Sequence, residues 1–346
     1  MKEEHTLCLI VYNKYSSDQI SGEDISKENS AAEEFEDMKA IKKALKEMGF
    51  QVRAQGIRNI TPKVVQGIIE LSPDVIFNLC ESLNGDSKSE MHVAGLFDLL
   101  EIPYTGSPSF ALGLALNKIK TKQILKAIGI PVPPSVLVSP GEEFKADDLT
   151  PPYIVKPVGE DGSSGIFSKS VVYTAEEVNI LTKTIHRDYK QAALVEEFIE
   201  GKELTVFVVG DKEPRVLGIG EIDFSDFPKG EPKIISYHAK WDTRSPLFRT
   251  AEHIICPANI PSSLKTRIER VALKTFKEIG CKDYARIDIR ISENRRVYVL
   301  EVNTNPFLDP SAGFGQACES AGISYNAFIK EIVENAMKRK NKNPYK

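Results

Sequence analysis

The first hundred residues alternate apolar runs with charged, helix-like stretches. Leu7 to Tyr12 is a continuous apolar run of the length of a buried strand. A charged helix is expected near Ala31 to Met48, a short strand near Phe50 to Ala54, a helix from Pro62 and a strand over Asp74 to Asn78. That β-α-β-α-β order implies a parallel sheet with covering helices. Ser16 to Ser30 is polar and reads as a loop. A helix over Asn117 to Ile128 stops at Gly129, and the joint Pro131-Val132-Pro133-Pro134 marks the way into a second lobe. From Pro152 strands dominate: Tyr153 to Lys156, Ile166 to Val172, Ala193 to Phe198 and Leu204 to Val209, with helices near Ala175 to His186 and Ser262 to Ile279. The expected organisation is α/β followed by α+β. It comprises an N-terminal parallel α/β domain over 1–115, a central subdomain over 116–203 and a C-terminal subdomain over 204–346.

Composition narrows the class. With 346 residues, 41% hydrophobic and 27% charged, the chain reads as a globular protein with more than one core. No run of 18 apolar residues suggests a membrane span, and Met1 to His5 leads straight into the first strand, so a cytoplasmic protein is expected. Five scattered cysteines, Cys8, Cys80, Cys256, Cys281 and Cys318, form no C-x-x-C pair and read as core thiols. The 45 basic and 49 acidic residues are spread along the chain, which is no footprint for a nucleic acid and points to a small-molecule ligand. The basic cluster Lys338-Arg339-Lys340 lies in the C-terminal tail and is given no function.

The candidate chemistry begins at a hairpin. Arg286, Asp288 and Arg290 share one face of a first strand; Val297, Val299, Glu301 and Asn303 are expected to share one face of the returning strand. With a turn centred between Asn294 and Arg295, Asp288 falls opposite Glu301 and Arg286 opposite Asn303. Two facing carboxylates repel unless a cation lies between them, and oxygen donors of this kind suit Mg²⁺. The plainer alternative is a half-solvated surface hairpin with Ile287, Ile289, Tyr298, Leu300 and Val302 turned inward.

Three further segments carry weaker signals. Lys156 ends a strand and precedes Gly159, Gly162, Ser163, Ser164 and Gly165, a loop able to wrap phosphate oxygens or simply to turn. Val195-Glu196-Glu197-Phe198-Ile199 connects two strands, where exposed backbone can meet an adenine edge, and Glu203 just beyond suits ribose hydroxyls. The alternative is an ordinary inter-strand linker. Lys118 and Lys240 are two more cations, each by itself more typical of a solvated surface, and Trp241 by itself is a packing residue.

Taken in order, this series resembles the ATP-grasp superfamily, and within it the D-alanine–D-alanine ligase family. The likeness runs from about Asp74 onward and includes Ile102-Pro103-Tyr104-Thr105-Gly106-Ser107, Gly129 to Pro133 and Ala321 to Tyr325. The resemblance implies an ATP-grasp fold behind an N-terminal parallel domain. It implies ATP as a substrate, with Lys118, Lys156 and Lys240 on its phosphates, Ser163 and Ser164 in the loop above them, Glu196 to Ile199 on adenine and Glu203 on ribose. Asp288, Glu301 and Asn303 would hold two Mg²⁺ ions, with Mn²⁺ as a substitute. Arg286, with Lys240 and Ser163, would serve catalysis. Amino-acid-like substrates would meet Arg286, Trp241, Phe307 and Ser311. The implied reaction is ATP-dependent joining of a carboxylate to an amine through an acyl phosphate, in a cytoplasmic homodimer supplying a cell-wall precursor.

The departures from the family pattern concern the substrates. The N-terminal Gly-Gly-x-Ser-x-Glu signature is absent, with Tyr12 to Asp18 in its place, and Cys80-Glu81 replaces a His-Gly. Trp241 stands where the family has a tyrosine or phenylalanine. Phe307 and Ala312 replace a glycine and a serine that line the acceptor side. These keep open a ligase of another amino acid or peptide pathway. A non-catalytic ATP-binding module is the alternative of a different class, and Arg286 beside the metal row argues against it.

Overall fold

The run Leu7–Asn13 forms β1, the middle strand of a three-stranded sheet, with β2 (Gln51–Ile57) and β3 (Val75–Leu79) parallel on either side. A computed structural model describes residues 6–14, 25–160, 162–240, 242, 244–248 and 254–339, without the side chains of 25–35 and 148. The crossovers carry α1 (Ile25–Glu47) and α2 (Pro62–Leu71). The polar stretch expected as a loop over 16–30 is therefore helical from Ile25, and 16–24 lie outside the described residues. At α2 the Thr61 hydroxyl accepts the Val64 N–H at 3.3 Å and Pro62 fills the first turn, where its missing N–H costs nothing. Two helices were not foreseen, α3 (Glu90–Leu99) and α4 (Ser109–Leu116). The latter, SFALGLAL, is apolar on almost every side and so shows no helical period.

The central region is an antiparallel sheet in the order β4-β7-β5-β6, made of β4 (Ser135–Val138), β5 (Tyr153–Pro157), β6 (Val171–Val172) and β7 (Ala193–Glu197). Helices α5 (Lys118–Ala127) and α6 (Ala175–Tyr189) accompany it. The strand expected over Ile166 to Val172 shrinks to its last two residues. Its first half bonds elsewhere: the Ile166 N–H reaches Ser163 O at 3.0 Å, its carbonyl takes the Tyr237 N–H at 2.7 Å, and the Phe167 N–H reaches Ser170 Oγ at 2.9 Å.

The C-terminal sheet is antiparallel in the order β10-β9-β8-β11-β12: β8 (Gly201–Gly210), β9 (Arg215–Ile222), β10 (Ile254–Ile255), β11 (Asp283–Ser292) and β12 (Val297–Asn303). The short α7 (Tyr237–Lys240) and long α8 (Ser262–Ile279) precede β11. Leu264, Ile268, Ala272 and Phe276 of α8 repeat every four residues and pack on Val206, Val208, Ile287, Ile289 and Val299, covering one face of the sheet. On the other face α9 (Gly313–Ser320) and α10 (Tyr325–Arg339) cover only one end, where Phe207, Val209 and Tyr284 join Phe314 and Phe328. The same cluster takes in Cys8, Ile10 and Phe77 of the N-terminal sheet, so its core crosses the boundary expected near residue 115. Four cysteines are buried as expected; Cys256 is half-buried.

The hairpin differs from its expected form in an instructive way. Its turn is a three-residue loop, Ser292 N–H to Arg296 O at 3.0 Å, with Arg295 at φ +60°. That turn is centred on Asn294 and alone would set Asp288 opposite Leu300. A bulge at Leu300 shifts the register by one, and Asp288 pairs with Glu301 and Arg286 with Asn303 after all. The bulge also changes the faces: Val297 and Val299 join Val302 in the core, not Glu301 and Asn303 as expected, while Leu300 lines the cleft.

One ion pair ties α10 to the rest. Arg339 donates to both oxygens of Asp283 at 2.6 Å and to Tyr104 O at 2.8 Å, while Asp283 also takes the Gly106 N–H at 2.8 Å. Arg339→Ala would leave Asp283 buried without its counter-ion, and we expect a loss of about 3 kcal/mol in urea unfolding. Arg215→Ala, which breaks the more exposed pair with Glu331, should stay within about 1 kcal/mol.

Candidate active site

The uncovered end of the C-terminal sheet faces the central sheet across a cleft of about 1350 Å³. Pockets for drug-sized ligands run to roughly 1,000 Å³, so there is room for a nucleotide and a second molecule. The floor is three strands in register. Glu203, Thr205 and Phe207 of β8 stand opposite Arg290, Asp288 and Arg286 of β11, and beyond them Asp288 and Arg286 meet Glu301 and Asn303 of β12. Alternation turns every one of these side chains to the same face.

Each facing carboxylate has a cation. Arg286 donates to Asp288 through Nε (3.0 Å to Oδ1) and Nη2 (3.0 Å to Oδ2), and Thr205 Oγ1 adds a third bond at 3.0 Å. Lys118 Nζ stands 2.6 Å from Glu301 Oε1. Burial opposes ionisation of Glu301, but Lys118, with Lys156 and Arg286, more than reverses this and holds its pKa at about 2. Its folded value lies below the unfolded one of about 4.3, so its stabilisation is complete above that pH and drains away towards pH 2. Asn303 Oδ1 accepts the Asn305 N–H at 3.0 Å. Among the described residues no three His, Cys, Asp or Glu side chains cluster as a metal site. Two carboxylates and a carboxamide nonetheless make an all-oxygen donor set of the type hard divalent cations take.

The roof comes from the central sheet. Lys156 on β5 lines the cleft but is not free: its Nζ lies 2.8 Å from Glu196 Oε2, and Lys122 Nζ lies 2.8 Å from Glu196 Oε1. Burial works against the Glu196 anion, and the two lysines outweigh it, so its pKa is lowered. The Glu196 side chain is thus a buried strut between two cations. Lys122 was missed in the sequence, although it lies four residues from Lys118 on α5 and so on the same helix face. Its Nζ also donates to the bulged Leu300 carbonyl at 3.2 Å, linking roof and floor. Lys118 itself is not part of the cleft wall; besides Glu301 it donates to the Glu160 carbonyl, at the root of the glycine loop.

That loop bends over the cleft with Gly162, Ser163 and Gly165 all at positive φ. A Cβ on Gly165 would come within 2.5 Å of the Pro157 ring, so the loop closes back on its strand only with glycine there. Ser163 Oγ donates to Ile235 O at 2.9 Å, and Ser164 bonds the Tyr189 hydroxyl. Lys240 ends α7 and lines the cleft. In the connector, the Glu197 and Phe198 N–H groups bond Pro134 O (3.0 Å) and Pro152 O (2.7 Å), while Ile199 faces the cleft. Glu203 pairs with Arg290, another residue the sequence reading did not single out for a role in the site.

At the far end Phe307 and Ser311 line the cleft with Glu36, Glu81 and Ser82 of the N-terminal domain. The Ser311 hydroxyl is taken by Asp309 Oδ1. Asn13 shapes this wall, donating to Ser82 O at 2.5 Å and accepting the Glu81 N–H at 2.7 Å. Trp241, expected beside the substrate, lies outside the described residues.

A sheet of this kind facing a second sheet that carries a glycine loop is the ATP-grasp arrangement. The solved D-alanine–D-alanine ligase of Bacillus anthracis complexed with ATP shares this fold, with a TM-score of 0.71, 20% identity and coverage of 97% of this chain and 98% of that one. The family model described as D-ala D-ala ligase C-terminus matches residues 124–334. An uncharacterised protein of Sinorhizobium fredii is 32% identical over 265 residues, 77% of this chain and 75% of its own length. A D-alanine–D-alanine ligase of the same organism is 31% identical over 294 residues, 82% of this chain and 89% of its own. The chain belongs to the D-alanine–D-alanine ligase family of ATP-grasp proteins.

Glu196→Gln should destabilise the fold by about 3 kcal/mol or more, since Lys122 and Lys156 would be left buried without their anion. Chemical unfolding measures it; a loss below about 1 kcal/mol would contradict the strut.

Proposed function

We propose that this protein is an ATP- and Mg²⁺-dependent carboxylate–amine ligase that forms a peptide-like bond through an acyl phosphate. The observation that carries the reading is the row of Arg286, Asp288, Glu301 and Asn303 on the floor of the cleft that the glycine loop, Lys156 and Lys240 also line. Ile199 meets the adenine edge and Glu203 the ribose, while Ser163, Ser164, Lys156 and Lys240 face the triphosphate, with Lys118 behind them. Asp288, Glu301 and Asn303 would hold two Mg²⁺ ions, or Mn²⁺ in their place, which neutralise charge on the phosphoryl group in transit. The γ-phosphoryl group passes to the substrate carboxylate, leaving ADP. An amine then attacks the acyl carbon, and the tetrahedral intermediate expels phosphate. Arg286 balances the developing oxyanion, and no side-chain nucleophile is needed. In the form closest to the family name the substrates are two D-alanines, the setting is the cytoplasm, the product is a peptidoglycan precursor and the protein is a homodimer.

A second reading keeps the chemistry and changes the amino acids. Phe307 and Ala312 border the acceptor end, and Glu36 and Glu81 bring two carboxylates to the opposite wall. That lining favours a larger or more cationic partner than alanine. Phosphate release from ATP, measured with single D- and L-amino acids and then with pairs, separates the two readings. No release with any pair at saturating Mg²⁺ would overturn both.

Asp288→Asn and Glu301→Gln should each abolish turnover while far-UV circular dichroism stays that of the wild type. Near-normal turnover in either variant would refute the metal assignment.

A further inference from the structure

Arg290 has no part in the reaction described above, yet it has more partners in the cleft than any residue assigned to it. The side chain is 3% exposed and borders the nucleotide end of the cleft. The β8–β11 register sets it directly opposite Glu203. Its Nε and Nη2 both donate to Glu203 Oε2, at 3.0 and 2.7 Å. Nη1 donates to the Ile199 carbonyl at 2.8 Å, and Nη2 also reaches the Lys233 carbonyl. The guanidinium carbon lies 4.5 Å from the centroid of the Phe198 ring, a cation–π distance.

These contacts join three parts of the site. The first is the connector, through Phe198 and Ile199; the second is Glu203. The third is the segment from Lys233 to Tyr237, which holds the glycine loop through Ser163 Oγ to Ile235 O and Tyr237 N–H to Ile166 O. What Arg290 leaves open matters as much. Both of its bonds to Glu203 use one oxygen, so Oε1 remains for a ligand. It occupies the Ile199 carbonyl but not the Ile199 N–H. Burial pushes the Glu203 carboxyl up, and Arg290 is the main charge opposing that shift. Without it Glu203 would lose the negative charge that makes it a strong acceptor of ribose hydroxyls.

We infer that Arg290 is the positioning residue that presents Glu203 and the connector to a ribonucleoside triphosphate, and that through it the cleft selects ribose over 2′-deoxyribose. The inference rests on the ATP-dependent reading of the cleft. It is tested on the full chain with Arg290→Met and Arg290→Lys, by calorimetric titration with ATP and with 2′-deoxyATP and by steady-state turnover. Arg290→Met should weaken ATP binding about tenfold, the scale of one charge-assisted hydrogen bond, and 2′-deoxyATP binding less, so the preference between them narrows. KM for ATP should rise more than kcat falls, and Arg290→Lys should restore part of the preference. A wild-type ratio of ATP to 2′-deoxyATP affinity in Arg290→Met would overturn the inference and leave Arg290 a packing residue. Should Arg290→Met fail to fold, the ratio in Arg290→Lys decides on the same terms. Wild-type protein that binds no ATP would remove the ATP reading and this inference together. Binding without turnover would remove only the ligase reading.

Discussion

Two carboxylates, Asp288 and Glu301, face each other across adjacent strands, and the site is arranged around keeping both ionised. Each has its own cation, Arg286 on the same strand and Lys118 from helix α5. Opposed like charges at this spacing destabilise a sheet, so the hairpin depends on the helix, and the helix in turn depends on the roof. Lys122, one turn along, reaches Glu196 of the central sheet and the carbonyl freed by the bulge at Leu300. Floor, helix and roof are thereby held by charge as well as by packing. The same cations are those an anionic triphosphate would meet.

The two ends of the cleft differ in character. At the nucleotide end every acceptor and donor is placed by a buried contact: Glu203 and Ile199 by Arg290, Ser163 by Ile235, Glu196 by two lysines. Groups held in this way lose little freedom when a ligand arrives. At the amino-acid end the wall is made of loops from both terminal regions, with Asn13 holding Glu81 and Ser82, and Asn305 bonding Cys80 O and Glu90. Family membership, carried by the 124–334 match, covers the first end far better than the second.

Much of the fold could be read from pattern. The parallel start, α8 to the residue, and the strands β5, β7 and β8 follow from apolar period and turn residues. The omissions have physical causes. Helix α4 is apolar all round and carries no period, and β4 and β9 are short or interrupted by glycine. The strand expected from Ile166 was lost because its backbone bonds the 235–237 segment, a partner remote in sequence. In the site, the order of the polar residues announced the chemistry, but Lys122 and Arg290 looked like surface charges until the register and helix face were known.

The sequence by itself determined which side chains are available and how they alternate: the period of two that turns Arg286, Asp288 and Arg290 one way, and the glycines that let a loop fold over. Only the tertiary structure decided which of them meet. The facing of Asp288 and Glu301 was read from a turn that does not form; it exists because the bulge at Leu300 offsets a shorter turn by one residue. Such a bulge has no local signature, since the Lys122 ammonium that satisfies its carbonyl comes from a helix 178 residues away. Long-range hydrogen bonding, not the local pattern, settled the geometry of the site.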